Sequence, residues 1–154
     1  MLSEKEKQKI NAELAHAVTK QSVAIDALNI VQRHHGWVSD ESLTDVAQML
    51  DMTPDELDAV ATFYSFIFRK PVGRHVILVC DSISCWVMGH NPLLVNLNKN
   101  LGIQFGETTS DKRFTLLPIS CLGACDRAPA MMVDEDLYGP VTPEMIEEIL
   151  RKYV

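Results

Sequence analysis

A chain of 154 residues with 47% apolar composition is long enough to bury a core, either as one ordinary domain or as a small domain with a helical extension. Its net charge of -7 argues against a nucleic-acid or anionic-membrane surface, since both need clustered Lys and Arg to displace counterions. Apolar runs such as Val76 to Cys80 fall far short of the roughly 20 residues that cross a bilayer. The opening MLSEKEKQKIN has no apolar centre and too many acids for a targeting peptide, so a cytoplasmic protein without direct membrane contact is expected.

The first seventy residues read as helices. Ser3 and Glu6 have capping-box spacing, and Ile10, Leu14, Ala17 and Val18 follow on one helical face. Ala24, Ala27, Leu28 and Val31 predict a second helix that stops at Gly36, with Arg33, His34 and His35 at its C-terminal end, where positive charge suits the dipole. These histidines are expected at the surface or as caps, not as ligands. Leu43, Val46, Ala47 and Leu50 suggest a third helix. Thr53, Pro54 and Glu56 start a fourth, with Leu57, Val60, Ala61 and Tyr64 on one side. The last two helices imitate a DNA-binding helix-turn-helix, but Asp55, Glu56 and Asp58 would meet phosphate repulsion in the groove. A small helical packing unit is expected instead. The aromatic cluster Phe63, Tyr64, Phe66 and Phe68 is expected to pack the helical part onto the second half of the chain, with exposure to a partner subunit as the alternative. Pro71 and Gly73 mark a boundary.

From Arg74 the pattern is α/β. His75 to Cys80 is a β-branched run with apolar residues on both faces, as in a strand buried from both sides. A helix is predicted from about Asn91, with Pro92 in its first turn, Leu94, Leu97 and Leu101 at helical spacing, and a stop at Gly102. Phe114 to Leu117 and Ala130 to Val133 read as strands, Asp134 to Asp136 as a polar turn. Thr142 and Pro143 begin a last helix with Ile146, Ile149, Leu150 and Tyr153 inside.

All four cysteines fall in this half, as a C-x4-C pair (Cys80, Cys85) and a C-x3-C pair (Cys121, Cys125) with 35 residues between. In a reducing compartment such a set is a candidate tetrathiolate site, for zinc or for an iron-sulfur cluster. The wide spacing favours a two-iron cluster over zinc, and a zinc-stabilised interaction module remains the alternative of a different class. Both pairs follow predicted strands, so the two loops are expected to converge at one edge of a sheet. Gly123 would allow close backbone approach, Pro118 and Pro129 would stiffen the second loop, and Arg127 is the nearby cation. Neither a glycine-rich dinucleotide fingerprint nor a phosphate loop is present, so a lone cluster would carry single electrons beside another polypeptide.

The stretches Val60-Ala-Thr-Phe-Tyr64, Phe68 to His75, Val79 to Trp86 and Leu117 to Cys125 resemble the family of small two-iron subunits of respiratory complex I, from about residue 20 to the C-terminus. The resemblance implies an α+β chain, with an N-terminal helical bundle (residues 1–72) followed by a thioredoxin-like α/β ferredoxin domain (residues 73–154). It implies one [2Fe-2S] cluster on Cys80, Cys85, Cys121 and Cys125. It further implies an oxidoreductase subunit of the NADH-oxidising arm, acting in NADH oxidation by quinone on the cytoplasmic face of a bacterial inner membrane, with no complete active site of its own. The expected partners are the subunit that binds FMN and NADH and the larger iron-sulfur subunit of the same arm. A diaphorase subunit of an NAD-linked hydrogenase or formate dehydrogenase is the related alternative.

Overall fold

The computed structural model describes residues 1–154, and the chain divides into two units, Met1–Pro71 and Val72–Val154. The first contains α1 (Glu4–Leu14), a 3-10 turn at Lys20–Val23, α2 (Ala24–His35), α3 (Asp40–Met49) and α4 (Pro54–Phe63). Ser3 and Thr53 complete capping boxes with Glu6 and Glu56, and Ser39 caps α3 by accepting from the Ser42 N–H. Gly36 ends α2 at φ 80°, a left-handed conformation that costs glycine no Cβ clash. The buried faces meet at Ile10, Leu28, Val31, Val46, Leu50, Leu57 and Ala61. Arg69 ties the end of this unit to two earlier helices and the loop between α2 and α3. Its guanidinium donates to Asp58 Oδ1 at 2.6 Å, to Asp40 Oδ1 at 2.7 Å and to the Val38 carbonyl.

Two expectations are corrected by this unit. Helix α1 stops at Leu14 rather than running on, because the chain turns into the 3-10 segment, where the Thr19 hydroxyl accepts from the Ser22 N–H. Val18 therefore leaves the helical face and is 98% exposed. The aromatic cluster also fails to pack as a core. Phe63 is 80% exposed and Phe66 48%, because α4 ends at Phe63 and Tyr64 turns extended. Ile67, not the aromatics, is the buried apolar side chain after the helix.

Glu6 is an unforeseen feature. It is almost fully buried, its Oε2 accepts from the Ser3 N–H at 2.8 Å and the Ser3 hydroxyl at 2.6 Å, and His35 Nε2 lies 2.9 Å from Oε1. His35, expected at the surface, is half-exposed and faces this carboxylate, which joins the start of α1 to the end of α2.

The second unit is a four-stranded sheet in the order β2-β1-β3-β4, built from β1 (His75–Cys80), β2 (Phe114–Ile119), β3 (Met131–Val133) and β4 (Asp136–Tyr138). β1 runs parallel to β2 and antiparallel to β3, which forms a hairpin with β4. Helices α5 (Ile83–Met88) and α6 (His90–Leu101) connect β1 to β2, and α7 (Ile146–Arg151) closes the chain after a 3-10 turn at Pro143–Met145. Ile77, Val79, Leu116, Met131 and Val133 of the sheet share a core with Leu93 and Leu97 of α6 and Ile146 and Ile149 of α7. The alternate side chains Val76 and Leu78 are buried too, so β1 is covered on both faces as its sequence predicts.

The polar turn is shorter than expected, since Asp136 to Tyr138 pairs with β3 as an edge strand and only Asp134 and Glu135 remain to reverse the chain. Asp134 adopts φ 52°, and its carboxylate accepts from the Val76 N–H at 2.9 Å and meets His75 Nδ1 at 2.7 Å. Arg113 donates to the carbonyls of Leu150 and Tyr153, tying the end of α7 to the segment before β2.

Burial pushes the Glu6 carboxyl up, but the hydrogen bonds from the Ser3 side chain and backbone, with His35 and His34 nearby, outweigh it and hold the group below its ordinary value. Its ionised form therefore stabilises the fold above the unfolded-state value of about 4.3, and this contribution is lost as pH falls from there through the lower folded value. Glu6→Gln should cost about 1–3 kcal/mol at pH 7, as expected for removing a buried charged acceptor. Urea titrations followed by circular dichroism should show the gap from the unmodified protein narrowing at pH 3; an equal gap at both pH values would contradict the assignment.

Candidate metal centre

β1 ends on Cys80, and the parallel register sets Cys80 beside Ile119, the last residue of β2. Parallel neighbours leave the sheet at the same edge, so the loops after β1 and β2 emerge together. One carries Cys85 and the other carries Cys121 and Cys125. Cys80 and Cys85 are buried, while Cys121 and Cys125 are exposed, and none forms a disulfide. A small apolar group of Ala124, Ala128 and Ala130 packs around the buried pair, with Leu122 and Leu137 at its border.

Cys85 lies within the first turn of α5, after Ser82 at the N-cap, and not ahead of the helix as its sequence suggested. Gly89, at φ 125°, separates α5 from α6. The signal for α5 was present in Ser82 as a possible cap and Gly89 as a stop, but six residues are too few to show a clear helical period.

The Cys80 thiol meets those of Cys85 and Cys121 and faces backbone donors. Burial raises the Cys80 thiol, but the N–H groups of Ser82 and Leu122, with the thiols of Cys85 and Cys121, bring it below its ordinary value. Cys85 shifts upward, because burial and the neighbouring Cys80 and Cys125 outweigh the Ala130 N–H. The Gly123 N–H lies 3.3 Å from Cys121 Sγ. No three His, Cys, Asp or Glu side chains close around a single point as the ligands of one ion would. Cys80 instead stands between the thiols of Cys121 and Cys85, with Cys125 as a further neighbour of Cys85. Four soft donors, backbone N–H groups aimed at sulfur and apolar walls fit an anionic two-iron cluster, which needs thiolates for its irons and donors for its charge.

The structure revises the roles of some neighbours. A Cβ on Gly123 would meet no protein atom, and its φ of 72° favours glycine. Arg127 is exposed in the 3-10 turn Cys125–Arg127 and makes no ion pair, so it is a solvated cation. Pro129 is buried behind the second loop, while Pro118 lies exposed within β2. His90, the first residue of α6, was not singled out from sequence. It is 4% exposed, and its Nδ1 lies 3.1 Å from the Cys80 carbonyl. On the outer side of α5, Ile83, Trp86, Val87 and Met88 are all more than half exposed, which leaves an apolar surface beside the site.

A family model described as thioredoxin-like [2Fe-2S] ferredoxin matches residues 10–154. The chain is 46% identical over 154 residues to the E subunit of NADH-quinone oxidoreductase from Pseudomonas aeruginosa, covering all of this chain and 93% of that protein. It is 47% identical over 152 residues to the protein of the same name from Escherichia coli K12, covering 99% of this chain and 92% of that one. Among solved structures, an air-oxidised NAD+-reducing [NiFe]-hydrogenase shares the fold, with a TM-score of 0.71 at 24% identity, over 85% of this chain and 22% of that one. The chain belongs to the thioredoxin-like [2Fe-2S] ferredoxin family.

Proposed function

We propose that this chain is the electron-transfer subunit of the NADH-oxidising arm of a bacterial NADH-quinone oxidoreductase, with Cys80, Cys85, Cys121 and Cys125 holding its [2Fe-2S] cluster. The observation that carries this reading is the parallel register of β1 and β2, which brings Cys121 to Cys80 and Cys85 among backbone donors, in a chain 46% and 47% identical to subunits of that name. The cluster, when bound, supplies a one-electron redox centre. The protein's own part is to present four thiolates at fixed positions, to aim the N–H groups of Ser82, Leu122, Gly123 and Ala130 at them, and to cover the inner pair. Hydrogen bonds to sulfur stabilise the extra negative charge of the reduced state.

The outer pair, Cys121 and Cys125, leaves one side open to solvent, with the apolar side chains of α5 nearby. This side suits the subunit that holds FMN and NADH, because a two-electron hydride donor must pass electrons singly to an adjacent centre. The larger iron-sulfur subunit of the arm is the second partner in this reading. The two units, Met1–Pro71 and Val72–Val154, then serve as a helical domain and a cluster domain. No helix is long and apolar enough to cross a membrane. In this reading the chain is held at the cytoplasmic face of the inner membrane through its complex. Nearly full-length identity of 46–47% to the quinone-linked subunits favours them over the hydrogenase, whose likeness at 24% is one of fold.

Mixing the purified chain with its flavin-bearing partner and NADH should bleach the sulfur-to-iron absorption band, while NADH alone should leave it unchanged. Bleaching without the partner would overturn the proposed division of labour. Cys121→Ser should lower bound iron and sulfide at least severalfold while the far-ultraviolet dichroism of the helical half persists; unchanged iron would remove Cys121 from the ligand set. Gly123→Ala forces a Cβ into the left-handed region at a cost of about 1–2 kcal/mol. It should therefore hasten cluster loss in air, read as decay of the visible band, and decay at the unmodified rate would contradict the role given to that turn.

A further inference from the structure

We propose that His90 is a positioning residue for the cluster, fixing the peptide between Cys80 and Asp81 and thereby setting the reduction potential. This role rests on the four-cysteine ligand set proposed above. The carbonyl of that peptide meets His90 Nδ1 at 3.1 Å, and its N–H donates to the Ile119 carbonyl at 2.8 Å. It is thus held at both ends, by α6 on one side and by β2 on the other.

A carbonyl only accepts, so Nδ1 carries the hydrogen and the tautomer is set by this contact. The other ring nitrogen faces Asp81 Oδ1 at 3.7 Å, beyond hydrogen-bond distance, so the Cys80 carbonyl is the ring's one hydrogen-bond partner and the Asp81 carboxylate its charged neighbour. The ring is 4% exposed and sits near Phe105, with centroids 6.4 Å apart. Its place in the helix explains that burial, since His90, Leu93 and Leu97 form one buried stripe of α6. A polar ring at the head of an apolar stripe is retained where a buried acceptor needs a donor.

The next peptide along the chain carries the Ser82 N–H, which is directed at Cys80 Sγ. Tilting the Cys80 carbonyl would turn that donor away from sulfur. Because N–H to sulfur bonds favour the more negative, reduced cluster, their weakening shifts the potential downward.

The test uses the anaerobically purified full chain in three forms, unmodified, His90→Asn and His90→Phe, each analysed for iron and sulfide, then titrated potentiometrically with electron paramagnetic resonance of the reduced state. The asparagine amide places an N–H near the position of Nδ1, whereas phenylalanine keeps the ring and removes the donor. His90→Phe should lower the potential and change the resonance, and His90→Asn should restore both. Equal potentials and spectra for His90→Phe and the unmodified protein would overturn the proposal, as would equal shifts in both variants. Loss of the cluster from His90→Phe with retention in His90→Asn would support it; loss from both variants would refute the donor role. Absence of a two-iron signal in the unmodified protein would instead sink the ligand assignment.

Discussion

The parallel pairing of β1 with β2 is the constraint on which the site depends. Two cysteine pairs with 35 residues between them have no local means of meeting. Placing Cys80 beside Ile119 in one sheet sends both loops out of the same edge and brings Cys121 against Cys80. The connection that permits this pairing runs through α5 and α6, so the crossover required by parallel strands also delivers Cys85 and the core residues Leu93 and Leu97. Placement of the cysteines and sheet formation are one structural event. A change that shifts the β1–β2 register by one residue would turn Cys80 to the other face and separate the pairs.

Charge is the second requirement. Four thiolates around a two-iron core make an anion, and the chain itself carries a net charge of -7. Lysine and arginine contribute little, for the one nearby cation, Arg127, is solvated. Backbone dipoles are the donors the chain offers, with Ser82 and Leu122 facing Cys80, Ala130 facing Cys85 and Gly123 facing Cys121. This arrangement makes the site sensitive to the orientation of single peptides, which is how a buried side chain such as His90 can matter without touching sulfur.

Much of this was legible in the sequence because the decisive signals are local or carried by rare residues. Ser3, Thr53 and Gly36 mark helix ends by hydrogen-bonding and steric rules that act within one turn. Cys80, Cys85, Cys121 and Cys125 are the chain's whole complement of cysteine, and their spacing and flanking residues carried the family resemblance. What sequence reasoning missed was set by tertiary context. Phe63 and Phe66 are as apolar as any core residue, and only the extended turn at Tyr64 puts them in solvent. Asp136 to Tyr138 forms a strand because β3 offers an edge, despite an acidic start that reads as turn. Helix α5 was too short to announce itself, and Glu6 and His90 are polar residues whose burial depends on partners far away or on another element.

One two-iron, two-sulfide cluster bridging the paired loops is the central claim. Mössbauer spectroscopy of the anaerobically purified, iron-57-enriched protein, with sulfide and zinc analysis of the same sample, addresses it directly. The expected result is two irons and two sulfides per chain, equivalent tetrahedral ferric sites coupled to a diamagnetic ground state, and localisation of one added electron on one iron upon reduction. One zinc per chain with no iron or sulfide would leave the thiol cluster standing as a structural staple and would contradict the electron-transfer role.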